Sequence, residues 1–498
     1  MADALERLKA RMRDLAVLDQ LGMLLSWDQR TQMPPAAARH RGDHMAFVDR
    51  MAHDLLVDPD VGRLLEELEP RLASLDPDGF DHGLIRLAKR SYEKEVNVPA
   101  ELRSEMARAA AEGNAVWLQA KAASDFQLFL PALERNVEAR RRYVEALAPD
   151  GEPYDVLLDD FEPETKTEDV TRIFAEIRDE LVPLIAELRE REVDDSFLAG
   201  DYPVDRQIEL LHDVVDTFGH RPDSWRIDPT EHPFAASPGR DDIRITTHYH
   251  AGNLDSLFST MHEYGHGLYQ HQLPAEAEAY PVGGPASLGI HESQSRLWEN
   301  LVGRSLPFWR FYFPRVQERF PQQLGTVDVE RFYAAVNKSQ PSLIRIEADE
   351  VTYGMHVILR FELEQDIING RIETKDLPQA WNEKMHDYLG VDVPDDARGV
   401  LQDMHWSTGL IGYFSTYLLG TVMSVQIWEK MQEDVGDLDE LLERGEFTPL
   451  REWLGEHVHG QGRKYPPQQL LEKVVGSGID AKPYLAYLKR KFGAAVAA

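Results

Sequence analysis

The chain contains no cysteine. Disulfides, cysteine nucleophiles and thiolate metal sites are thereby excluded together, so any metal must be held by His, Asp or Glu. Basic residues are also scarce: 54 Lys and Arg stand against 87 Asp and Glu, a net charge of −33. Such a surface repels phosphate backbones and anionic lipid, so nucleic acid is not an expected partner. The same excess of carboxylates keeps a protein soluble and is compatible with a salty cytoplasm. A secretory signal is missing too, because MADALERLKARMRDLAVLDQ places charges among its apolar residues and reads as a helix of a cytoplasmic protein.

One stretch of membrane-spanning length carries no charge, Trp406 to Trp428. Ser407, Thr408, Ser415, Thr416, Ser424 and Gln426 make it a poor lipid-facing span, so it is read as a buried helix and no membrane partner is expected. No low-complexity linker and no fixed-period repeat divides the chain. We therefore expect one domain over 1–498, with a helical N-terminal half (1–200), a catalytic region (201–420) and C-terminal helices (421–498).

Helical periodicity is abundant, as in LERLKARMRDLAVLDQLGMLLSW and PALERNVEARRRYVEALAP. Between about 201 and 250 the texture turns to Pro, Gly and Asp and ends in IRITTHYH, the best strand candidate, rich in β-branched and aromatic residues. Its backbone could offer an edge to an extended peptide.

The helical segment that follows this strand carries HEYGH, residues 262–266. A helix advances about 100° per residue, so His262 and His266 share one face and can share one metal, while Glu263 sits beside that face as a general base would. Asn253 can cap this helix, Leu254, Leu257, Phe258, Met261 and Leu268 recur at helical spacing, and Pro274 limits its length. A catalytic zinc site takes three protein ligands and leaves one position open. Glu292, in IHESQSRLWENL, starts the next helical run and is the candidate third ligand. A metzincin would need Gly and His where this chain has Tyr269 and Gln272, and the run His291 to Arg296 does not match the thermolysin pattern.

Several separated motifs resemble the carboxypeptidase Taq family of zinc metallocarboxypeptidases, in that family's order. They are His232-Pro233-Phe234; Asp242, Arg244 and Thr246; HEYGH; His291-Glu292-Ser293; Ile344-Arg345-Ile346-Glu347-Ala348-Asp349; and Gly399, Gln402, Asp403, His405 and Trp406, with SWDQRTQMP near the N-terminus also similar. The resemblance implies a mainly α, multi-helical single body around a deep active-site groove, similar to neurolysin and angiotensin-converting enzyme, with a small antiparallel sheet at the groove edge. It further implies a homodimer. The expected activity is removal of single residues from the free C-terminus of peptides with broad specificity. Zinc, for which Co²⁺ or Mn²⁺ can substitute, would be held by His262, His266 and Glu292, with Glu263 as base. Oxyanion donors would be His405 and Tyr413, on one helical face if a single helix runs through both, with Tyr417 as a rival. A guanidinium suits the substrate's terminal carboxylate: Arg345 first, Arg244 second, the structural alternative for Arg345 being an ion pair with Asp349. Asp349 or Asp403 could orient a zinc histidine. The alternative functions are a groove oligopeptidase that cuts internally, or a non-catalytic peptide- or metal-binding protein.

Overall fold

The computed structural model describes residues 2–148 and 151–493. Among the described residues helices dominate, and the strands form a single small sheet. The chain divides into two compact units, each assembled from separated stretches. One comprises the residues up to Val96 together with Asp194–Val336 and Ser424–Gly478; the other comprises Asn97–Val193, Asn337–Met423 and the residues from Ile479.

In the first unit the helix Ala2–Thr31 lays Ala4, Leu8 and Met12 against Val61, Leu64, Leu65 and Leu68 of the helix Pro59–Leu68, and against Leu84, Ile85 and Ala88. Pro59 opens its helix without losing a needed donor, and Asp58 caps it by accepting from the Asp60 N–H at 2.9 Å. The sheet has three strands, β1 (Trp225–Pro229), β2 (Ala235–Gly239) and β3 (Asp242–Thr247), in the order β1-β3-β2. β1 runs parallel to β3 and β2 antiparallel, so the sheet is mixed and not antiparallel as expected. β3 is the central strand, with both of its backbone edges paired, and cannot itself offer an edge to a peptide.

The HEYGH helix spans Asp255–His271 and follows β3 closely. Leu254 occupies the cap position, while Asn253, one residue earlier, accepts from the Asp255 N–H at 3.2 Å. Two glycines let this helix lie close to its neighbours. A Cβ on Gly267 would stand 2.7 Å from the Trp225 ring, and one on Gly265 would stand 2.7 Å from Ser295 Cα. Around it Phe218, Tyr264, Trp298 and Phe447 form an aromatic cluster, with Phe218 centroids 5.2, 4.9 and 5.0 Å from the other three.

In the second unit the helices Ala100–Ala123 and Phe126–Leu147 pack side by side, and Tyr353–Ile368 is buried on all faces. The uncharged stretch from Trp406 is not one helix. A 3₁₀ turn, His405–Thr408, is followed by Gly409 and Gly412 with φ of 72° and 97°, and the long helix starts only at Ser415. Among the described residues, no helix is long and apolar enough to cross a membrane.

Candidate active site

Because the HEYGH helix is regular, His262 and His266 project one turn apart, with ring centroids 4.9 Å from each other. The following helix, Leu288–Arg296, is capped by Ser287 Oγ, which accepts from the Ile290 N–H at 3.0 Å, and carries Glu292 back to them. Glu292 Oε2 lies 3.6 Å from both His262 Nε2 and His266 Nε2. Arg296 Nε donates to the other oxygen, Oε1, at 2.7 Å, and Ser295 Oγ donates to Oε2 at 3.1 Å.

The three ligand atoms lie within 4.8 Å of one another. Tetrahedral bonds of about 2.0–2.2 Å need ligand atoms about 3.3–3.6 Å apart, which the two histidine–glutamate distances of 3.6 Å meet. Glu263 adds a second indication. Its carboxylate is buried, Oε2 has no hydrogen-bond partner, and burial pushes its pKa up to about 7. A buried acceptor left unpaired beside three converging ligands fits a water held between base and metal.

Each histidine is oriented through its other nitrogen, but not by Asp349 or Asp403. His262 Nδ1 donates to Glu299 Oε2 at 2.9 Å, while His266 Nδ1 meets His291 Nδ1 at 2.5 Å. Burial pulls the His291 pKa down to about 4, so this ring is a neutral acceptor, and its Nε2 lies 3.0 Å from the Gln270 side-chain amide. Burial would raise the Glu299 carboxyl, but Arg296, His262 and Arg304 outweigh it and hold the group well below the usual carboxylate range. Sequence reasoning missed Glu299. It stands two helical turns beyond Glu292, a spacing that could have flagged it.

Arg244 is bidentate to Asp242, Nε to Oδ1 at 2.7 Å and Nη2 to Oδ2 at 2.8 Å, and its guanidinium lies 4.2 Å from the Trp27 ring centroid. The remaining sites are in the second unit. Arg345 is buried and pairs with Asp403 at 2.8 Å and with Tyr353 OH at 3.1 Å, not with Asp349. Asp349 instead accepts from Ser339 Oγ, Thr352 Oγ1 and the Gln340 and Val351 N–H groups, which makes it a loop and helix-start clamp. Asp403 also binds Arg360. His405 lies 5.4 Å from Tyr413 between ring centroids, and its Nε2 is 3.5 Å from Tyr417 OH. Burial lowers the His405 pKa to about 4, so the ring is neutral near pH 7.

A mainly helical scaffold with a helical His-Glu-x-x-His, a downstream glutamate and a buried base defines a metallopeptidase. Comparison with known proteins narrows the class. Residues 7–492 match the model of the carboxypeptidase Taq (M32) metallopeptidase family. The chain is 40% identical over 503 residues to thermostable carboxypeptidase 1 of Thermus thermophilus, covering 99% of this chain and 98% of that protein. It is 35% identical over 472 residues to carboxypeptidase 1 of Bacillus subtilis, covering 94% of each. The M32 carboxypeptidase structure from Deinococcus radiodurans R1 superposes with a TM-score of 0.95 at 35% identity, covering 100% of both chains. The chain belongs to the carboxypeptidase Taq (M32) family of metallocarboxypeptidases and is a peptide hydrolase.

Proposed function

We propose that this enzyme uses zinc to remove single residues from the free C-terminus of short or unfolded peptides with broad specificity. The observation that carries the reading is the buried, unpartnered Glu263 oxygen beside the His262, His266 and Glu292 triad. Zinc, when bound by those three side chains, supplies a Lewis acid that acidifies a water and polarises the scissile carbonyl. Co²⁺ or Mn²⁺ can take its place on such a donor set. Glu263 Oε2 accepts the proton of the attacking water and later delivers it to the leaving amine. His405 and Tyr413 donate to the oxyanion as it develops, and a neutral His405 is the form suited to that task.

Recognition of the terminal carboxylate falls to a guanidinium, Arg345 first and Arg244 second. Each already holds an aspartate, so the substrate carboxylate must share it; this supports internal cleavage by an oligopeptidase as the second reading. A groove of the neurolysin and angiotensin-converting-enzyme kind, a single working domain over 1–498, a homodimer and a cytoplasmic location complete the proposal.

The test is mass spectrometry of one N-blocked peptide and of its C-terminally amidated twin, incubated with zinc- or cobalt-loaded protein and with a chelator control. Stepwise loss from the free end only, abolished by chelator, is expected. Internal cuts in both peptides would establish the oligopeptidase, and no cleavage with any metal would leave a binding protein.

A further inference from the structure

Glu364 lies on the helix Tyr353–Ile368 and is fully buried. A carboxylate in such a place needs donors on both of its oxygens. Oε1 accepts from Trp406 Nε1 at 2.7 Å, and Oε2 accepts from Tyr154 OH at 2.6 Å and from the Gly412 N–H at 2.9 Å. Two of those donors have neighbours of consequence: Trp406 follows His405 directly, and Gly412 directly precedes Tyr413.

The segment between them cannot hold its own shape as a helix would. Gly409 and Gly412 both have positive φ, and a Cβ on Gly412 would stand 2.6 Å from the Leu157 carbonyl oxygen. Its middle is pinned from outside, by Asn136 Nδ2 donating to the Trp406 and Ser407 carbonyls at 3.0 and 2.8 Å and by Arg140 Nε donating to the Gly409 carbonyl at 2.7 Å. Its two ends are tied together by Glu364. One carboxylate thus sets the separation between the backbone that carries His405 and the backbone that carries Tyr413.

We infer that Glu364 is a positioning residue of the peptidase reaction, holding Trp406 and Gly412 on its two oxygens so that His405 and Tyr413 are presented together in a fixed orientation. The inference rests on the reading of His405 and Tyr413 as oxyanion donors. Donors of that kind act through preorganisation, so displacing the support lowers turnover even when the donors remain. A carboxylate that served the fold alone would show its loss in stability and not in kcat.

Glu364→Gln tests this, because the amide has nearly the same shape but turns an NH2 toward one of the three donors. The expected result is a fall in kcat of about tenfold, with KM within about twofold and bound zinc unchanged; deleting a donor, as in His405→Ala, lowers kcat by about 10²–10³-fold. Trp406→Phe, which removes only the Oε1 donor, gives the same kcat-selective loss and carries the test where Glu364→Gln does not fold. In the Glu364→Gln, His405→Ala double variant the losses do not multiply, since the support has nothing left to orient. Full kcat in a folded Glu364→Gln enzyme, or losses that multiply in the double variant, overturns the inference. Full kcat in both His405→Ala and Tyr413→Phe overturns the donor reading itself, an outcome recognisable because Glu364 is intact in those variants.

Discussion

Glu299 Oε2 accepts from His262 Nδ1 at 2.9 Å, on the side of the ring away from Glu292. Held ionised by Arg296 and Arg304, Glu299 fixes the tautomer that leaves His262 Nε2 free for a metal. Glu299→Ala should therefore weaken metal affinity about 10–100-fold, measured by competition with a chelator of known affinity. Unchanged affinity would show that His262 is oriented by its helix alone.

The base makes a different prediction. Glu263 touches no other donor through Oε2 and lies outside the ligand triad, so Glu263→Gln should leave metal content intact. Turnover should fall about 10²–10⁴-fold, the range for loss of a positioned proton acceptor. Steady-state kinetics paired with metal analysis of the same sample decides it, and full activity in the variant would sink the mechanism.

Legibility in the sequence followed the range of the interaction. The pairing of His262 with His266 could be read because one helical turn is written locally, whereas Glu292, expected at the start of the next helical run, stands in the middle of the helix Leu288–Arg296. The sheet could not be read in the same way. β1 and β2 are WRIDP and AASPG, segments without clean alternation, and their pairing with β3 is set by long-range packing. Glu364 shows the same limit: in HVILRFELEQ it stands four residues after Arg360, and nothing local to the sequence marks either residue as buried. The structure buries both, turning Arg360 to Asp403 and Glu364 to Trp406, Tyr154 and Gly412. Tyr413 and His405 were separable from a single helix only through Gly409 and Gly412, whose positive φ breaks it.

Gly265, at the centre of HEYGH, allows the two ligand-bearing helices to touch. A Cβ there would collide with the Gln294 carbonyl and stand 2.7 Å from Ser295 Cα, both backbone atoms that cannot swing aside. Gly265→Ala should destabilise the fold by about 1–3 kcal/mol despite the better helix propensity of alanine, and should weaken metal binding by pushing Glu292 away from the histidines. Thermal unfolding with and without metal reads both effects; an alanine variant at least as stable as the parent would mean the helices separate freely.

Glu364 also predicts how stability follows pH. Burial raises its carboxyl to about 7, against the downward pull of the Tyr154, Trp406 and Gly412 donors. Its pKa in the unfolded chain is about 4.3–4.5, so between the two values the folded protein binds the extra proton. The stabilising contribution is complete below the unfolded pKa and is lost as pH rises through about 7, a swing of about 3–4 kcal/mol at most. Glu364→Gln does not titrate, so the difference in unfolding free energy between parent and variant should shift steadily against the parent from pH 4.5 to 7 and then level off. Denaturant unfolding of both proteins across pH 4–9 measures that difference directly, and a difference independent of pH would mean that Glu364 stays ionised in the folded protein.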